Sequence, residues 1–140
     1  MTDPITDMLN RIRNAQAVFH QTVVIPFSNL KYEIAKILEK ERFVEKVEKK
    51  GKKSNKVIEI TLKYQKEETS AEGQSGKMRP AISGSKRISR PGQRIYTRSK
   101  EIRLVREGYG IAIISTPEGL ITAREAKKRK LGGEILCEIW

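Results

Sequence analysis

The chain has 140 residues, 37% hydrophobic and 33% charged, which is enough for one domain or two small modules and too apolar for a disordered polymer. Its 29 Lys and Arg against 17 Asp and Glu give a net charge of +12. That field attracts polyanions, and because no basic amphipathic helix carries large apolar anchors for a membrane surface, nucleic acid is the expected partner.

The opening, MTDPITDMLNRIRNAQ, lacks the apolar stretch of a signal peptide and predicts a helix. Asp3 is its expected cap and Pro4 its first residue, with Ile5, Met8, Leu9 and Ile12 forming one apolar stripe. TVVIP (22–26) reads as a short strand. Ser28 or Asn29 then caps a second helix whose expected inner face is Leu30, Ile34, Ile37 and Leu38. Phe43, Val44 and Val47 lead through the charged turn KKGKKSN (49–55) into a strand where Ile58, Ile60, Leu62 and Tyr64 alternate with polar residues. Residues 1–64 thus predict an αβαββ domain, two helices on a three-stranded sheet.

Residues 65–80, QKEETSAEGQSGKMRP, read as a polar loop or linker. Beyond them, AISGSKRIS predicts a strand, and Pro91-Gly92 in RPGQR predicts a type II turn. Ile95 and Tyr96 resume a strand, and Ser99 caps a short helix ending at Gly108. YGIAIIST reads as a buried strand from its continuous apolar run. Thr122 and Glu125 form a capping box for the helix AREAKKRKL, which Gly132 stops, and EILCEIW closes the chain as a strand. Residues 81–140 predict a mostly β domain with short helices, and the whole an α+β fold.

Little points to catalysis. His20 is the only histidine and falls in a polar connection. Cys137, the only cysteine, lies in an apolar strand; it excludes an internal disulfide and fits a reducing compartment. A Cys137–His20 hydrolase lacks a third group to orient the pair. No phosphate-binding loop, zinc-ligand spacing or dinucleotide-binding glycine pattern occurs, and no run nears the ~18 apolar residues of a membrane span.

The basic clusters carry more. KKGKKSNK (49–56) and KKRK (127–130) also serve as a solvated hairpin tip and a favourable helix end. KRISRPGQR (86–94) joins four basic side chains to a rigid turn with Tyr96 just after it, a pattern suited to phosphates and a stacked ring. In STPEG (115–119), the hydroxyls of Ser115 and Thr116 suit base edges and ribose, and Gly119 permits a close approach. Gly132 and Gly133 give the same freedom, while Glu134 can only accept, for instance from an exocyclic amine. Two ordinary capping loops would also explain these residues. Sequence-specific DNA binding is disfavoured, since no helix-turn-helix or basic zipper appears.

Three ordered stretches, DPITDMLNRIRNA, KRISRPGQRIY and STPEGLITAREAKKRKLGGEILCEIW, resemble the bacterial-type S8 family of small-subunit ribosomal proteins, across nearly the whole chain. The resemblance implies an N-terminal α/β and a C-terminal mostly β domain. It also implies a structural constituent that binds the central domain of 16S-type ribosomal RNA and helps assemble it, beside neighbouring small-subunit proteins. Ser115, Thr116, Gly119 and Glu134, with Gly132 and Gly133 in the same loop, match the family's RNA-contacting loops. Tyr96 matches its aromatic contact, and Lys86, Arg87, Arg90 and Arg94 lie in its basic turn. Arg13, Asn14 and Lys31 are candidate contacts of the N-terminal domain. Pro117 and Glu118 depart from the family's serine and basic residue, and Ser85 and Gln93 from commonly apolar ones. A messenger-RNA-binding regulator using the same surface remains the alternative. No cofactor, metal, membrane or small-molecule substrate is expected; the setting is a cytoplasmic or organellar bacterial-type ribosome.

Overall fold

A computed structural model of the chain describes residues 3–66, 78–103 and 105–140. The first helix, α1 (Pro4–Ala17), starts as its sequence dictates: the Asp3 carboxylate accepts from the Ile5 N–H, and Pro4 occupies the first helical position. It buries Ile5, Met8, Leu9, Ile12 and Ala15. Strand β1 (Thr22–Pro26) precedes α2 (Asn29–Lys40), which Ser28 caps by accepting from the Lys31 N–H. The inner face of α2 is rotated from the expected one. Lys31, Ile34, Ala35 and Leu38 are buried, a stripe centred on the small Ala35, while Leu30 is 40% exposed.

Strands β2 (Val44–Lys50) and β3 (Val57–Leu62) form the expected hairpin, and β1 joins its free side in the antiparallel order β1-β3-β2. The alternation of Ile58, Ile60 and Leu62 ends there, because the chain breaks at Lys63 and starts a second ladder. β4 (Tyr64–Lys66) pairs with β5 (Met78–Pro80), so the two ends of the expected linker are joined; its residues 67–77 lie outside those described.

The second half builds another sheet. β6 (Ser85–Arg87) and β7 (Tyr96–Thr97) both pair with the last strand, β10 (Gly133–Ile139). β10 pairs in turn with β8 (Ile111–Thr116), and β8 with β9 (Gly119–Thr122). Only three residues of AISGSKRIS are strand, whereas Gly119–Thr122 form a hairpin strand that the sequence reading missed. The short helix expected from Ser99 is two 3-10 turns, Ser99–Glu101 and Val105–Gly108, and Ser99 lies inside the first rather than capping it. The Arg90–Gln93 turn closes with two backbone hydrogen bonds of 2.9 Å, yet Gly92 does not take the positive φ that a type II turn needs. Helix α3 (Ala123–Lys128) is capped by Thr122, as expected. Lys130 at φ +59°, not Gly132, makes the left-handed turn that ends it.

A large apolar cluster spans both sheets, from Met8, Ile34 and Ile60 to Ile113, Cys137 and Ile139. A smaller cluster of Ile102, Ala112, Ile114, Ala123 and Ala126 covers the other face of β8. β8 is therefore apolar on both sides, which explains its continuous hydrophobic run.

Candidate nucleic-acid interface

Where β8 and β10 run past the core, their paired positions bring polar side chains onto one face. Glu134 stands opposite Ser115 on one side and Tyr96 on the other, and Ser115 also faces Leu120. Directly opposed residues of an antiparallel ladder share a face, with Cβ atoms about 5 Å apart. The result is a row of an exposed phenol, a carboxylate and a hydroxyl, on the face that buries Ile113 further along.

Backbone geometry at Gly133 makes this row possible. A Cβ there would stand 2.1 Å from the Ser115 carbonyl oxygen, and one at Gly132 would stand 2.5 Å from that of Thr97. Both glycines are thus required by the close approach of β10 to its neighbours. Further on, the register shifts between Ile135 and Cys137, placing a bulge at Leu136.

The basic turn is fixed beside the row by Ser89, which sequence reasoning missed. Ser89 is fully buried; its hydroxyl accepts from the Ile95 N–H at 2.9 Å and donates to the Ile95 carbonyl at 3.2 Å. Only its place just before the Pro-Gly turn could have signalled it. Arg90 is exposed on the turn, and Arg94 reaches Glu134 at 3.3 Å. The row therefore carries both donors and acceptors, framed by cations.

The β8–β9 turn borders the row. Thr116 is 8% exposed, and its hydroxyl is engaged within the turn: it donates to the Gly119 carbonyl at 2.9 Å and accepts from the Glu118 N–H at 3.1 Å. Gly119 adopts φ +111° with open space around it, so conformation rather than crowding requires glycine. Glu118 points to Arg129 at 3.8 Å, and Arg129 also binds Glu125 at 2.8 Å.

The remaining expected residues lie elsewhere. Arg87 is turned inward, its guanidinium bonded to Asp3 and to the Leu136 carbonyl, so it is not a free cation of the basic turn. Lys86 stands opposite Glu138, on the other face of the sheet. Arg13 and Asn14 are exposed on α1, with Arg13 donating to the Ser85 carbonyl at 3.5 Å. Lys31 is 7% exposed on the inner face of α2, which removes it from the surface set. His20 is exposed, whereas Cys137 is fully buried and burial pushes its thiol up to about 12. A protonated, enclosed thiol is no nucleophile, so the Cys137–His20 pair fails on access and on protonation.

Among the described residues no helix is long and apolar enough to cross a membrane. The family model of ribosomal protein S8 matches residues 3–140. Curated relatives named small ribosomal subunit protein uS8 are 46% identical in Staphylococcus epidermidis and 47% in Thermoanaerobacter pseudethanolicus and Natranaerobius thermophilus. Each alignment covers 100% of this chain and 98% of the relative. With that match running from the Asp3 cap to the last strand, the chain belongs to the ribosomal protein S8 family, structural components of the small subunit and not enzymes.

Proposed function

We propose that this chain binds the central domain of 16S-type ribosomal RNA directly and helps assemble it, within a bacterial cytoplasmic ribosome and beside other small-subunit proteins. The observation that carries this reading is the Tyr96–Glu134–Ser115 row with Arg90 and Arg94 beside it. Arginines alone would hold any phosphate backbone. A carboxylate that accepts, a hydroxyl that does both and an exposed ring instead suit bases and 2′-OH groups of an irregular helix. Regular A-form RNA hides its base edges in a deep groove, so a non-paired core is the fitting target. Exposed Arg13 and Asn14 on α1 and Lys86 on the opposite face of the sheet supply contacts away from this centre. Gly119 leaves open space for a close approach at the β8–β9 turn, while Gly132 and Gly133 let the chain pack against its own neighbouring strands and so position Glu134.

The test compares a central-domain RNA fragment with a regular duplex of matched composition across salt concentrations. Tyr96→Ala and Glu134→Gln lower affinity for the fragment about tenfold; the salt slope is unchanged in Tyr96→Ala and no flatter in Glu134→Gln, which frees Arg94 from its ion pair. Arg90→Ala and Lys86→Ala weaken both RNAs and flatten the slope by about one or less. Equal losses on both RNAs for all four variants would overturn the proposal.

A further inference from the structure

A groove of about 610 Å³ opens between the C-terminal end of α2 and the surface made by Val105–Gly108, β9 and α3. It follows the seam of the two apolar clusters. Ile37, Phe43 and Leu120 pack against the large cluster, Val105 and Ile121 against the small one, and all five remain half-buried. Around this floor stand Lys40, Arg103, Arg124, Lys127 and Lys128, all exposed and none in an ion pair among the described residues. Of the two acids at the rim among the described residues, Glu125 is already bound by Arg129 at 2.8 Å and Glu41 is exposed. Tyr109, 85% exposed, stands at the mouth.

The two parts of the groove ask for different things of one occupant. Half-wet Phe43 and Leu120 gain from being covered by apolar surface, and the cations gain from carboxylates or phosphates. An RNA backbone would satisfy the rim and leave the floor wet. An acidic polypeptide satisfies both, and an exposed tyrosine at the mouth fits a protein contact.

Resting on the reading that the chain sits in the small subunit, we propose that this groove docks a carboxylate-rich segment of a neighbouring protein, which lays an apolar side chain on Phe43 and Leu120. The test places the photoreactive residue p-benzoylphenylalanine at exposed position 109 and irradiates purified small subunits that have incorporated the protein. Mass spectrometry then identifies what is crosslinked. The expected product is a protein segment in which carboxylates flank an apolar residue. Lys127→Glu with Lys128→Glu, exposed changes at the C-terminal end of α3, lowers the yield per incorporated protein about tenfold. A crosslink to ribosomal RNA, to a basic or uncharged segment, or to nothing overturns the proposal, as does a yield indifferent to the charge reversal. A protein that never enters small subunits overturns the ribosomal reading together with this one.

Discussion

The Arg87 guanidinium lies 3.0 Å from the Asp3 carboxylate, joining residues 84 positions apart with both side chains largely buried. Asp3 also caps α1 and accepts from the Thr6 hydroxyl at 2.6 Å, while Arg87 also bonds the Leu136 carbonyl at the β10 bulge. One ion pair thereby ties the first turn of the first helix to the strand that carries Glu134. Its role is structural, and the stretch 86–94 divides accordingly: Arg87 faces in, and Arg90 and Arg94 face out.

Removing one partner of an enclosed pair leaves the other uncompensated, so Arg87→Ala lowers folding stability by about 3 kcal/mol. A double-mutant cycle with Asp3→Ala returns a coupling of about 2 kcal/mol. Burial acts to raise the Asp3 carboxyl, but the Thr6 and Arg87 hydrogen bonds outweigh it and hold it below the ordinary carboxylate value. This stabilisation is therefore complete above the unfolded-state pKa and fades as pH falls through the depressed folded value. Denaturant titrations at pH 7 and in acid check it: the wild-type advantage over Asp3→Asn shrinks in acid. An Arg87→Ala protein that stays as stable but loses RNA salt dependence would contradict this assignment.

Thr116 holds the shape of the β8–β9 turn, since its hydroxyl both donates and accepts within it, and the proposed RNA contact would depend on that shape. Thr116→Val removes those bonds at nearly constant volume and costs about 1 kcal/mol in thermal unfolding, whereas Thr116→Ser retains them. RNA affinity follows the same order. A Val variant with unchanged stability but weakened RNA binding would show instead that the hydroxyl touches RNA.

Much of this was legible because local signals agreed with the tertiary outcome. Asp3-Pro4, Ser28 and Thr122 mark helix starts through hydrogen bonds their own neighbours supply, and the alternation at Ile58–Leu62 needs only one buried face. What the residues did not disclose depends on distant partners. Nothing in KRISRPGQR distinguishes Arg87 from Arg90, because what turns Arg87 inward is Asp3, far off in sequence. Leu30 lost its place on the inner face because where α2 meets the sheet, not apolarity alone, decides which stripe is covered. Likewise, the Tyr96–Glu134–Ser115 row exists only through the register of three strands.

The three α-helices among the described residues end alike, and none uses glycine. Phe19, Arg42 and Lys130 take φ of +55°, +65° and +59°, and the next residue's N–H reaches back to Ala15, Leu38 and Ala126. Left-handed backbone strains an L-residue by about 1–2 kcal/mol, partly offset in a glycine variant by its freer unfolded chain. Arg42→Gly therefore stabilises the protein by about 0.5–1 kcal/mol, while Arg42→Ala leaves it unchanged. Paired denaturant curves decide it, and equal stabilities for the two variants would exclude backbone strain.

Gly133 offers a test of the close approach itself. A methyl group there would stand 2.1 Å from a backbone oxygen of β8, which no side-chain rotation relieves. Gly133→Ala must push β10 from β8 where Glu134 faces Ser115, at a cost of about 3 kcal/mol. RNA affinity falls although no contacting side chain has changed. Full retention of both would mean that the ladder yields there without harm.

Glu118 stands where the family resemblance implies a basic residue, and its partner Arg129 is 3.8 Å away with both side chains about half exposed. An ion pair in that setting contributes little, so Glu118→Lys changes stability by no more than about 0.5 kcal/mol. Its effect on RNA is larger if the β8–β9 turn lies against phosphate: a carboxylate that repels becomes a cation that displaces a counterion. The salt slope then steepens by about one, and affinity rises most at low salt. Pro117 is kept, so the turn's shape is constant and only charge differs. An unchanged slope would place the phosphates away from this turn and confine the RNA to the side of the row nearer Tyr96 and Arg94.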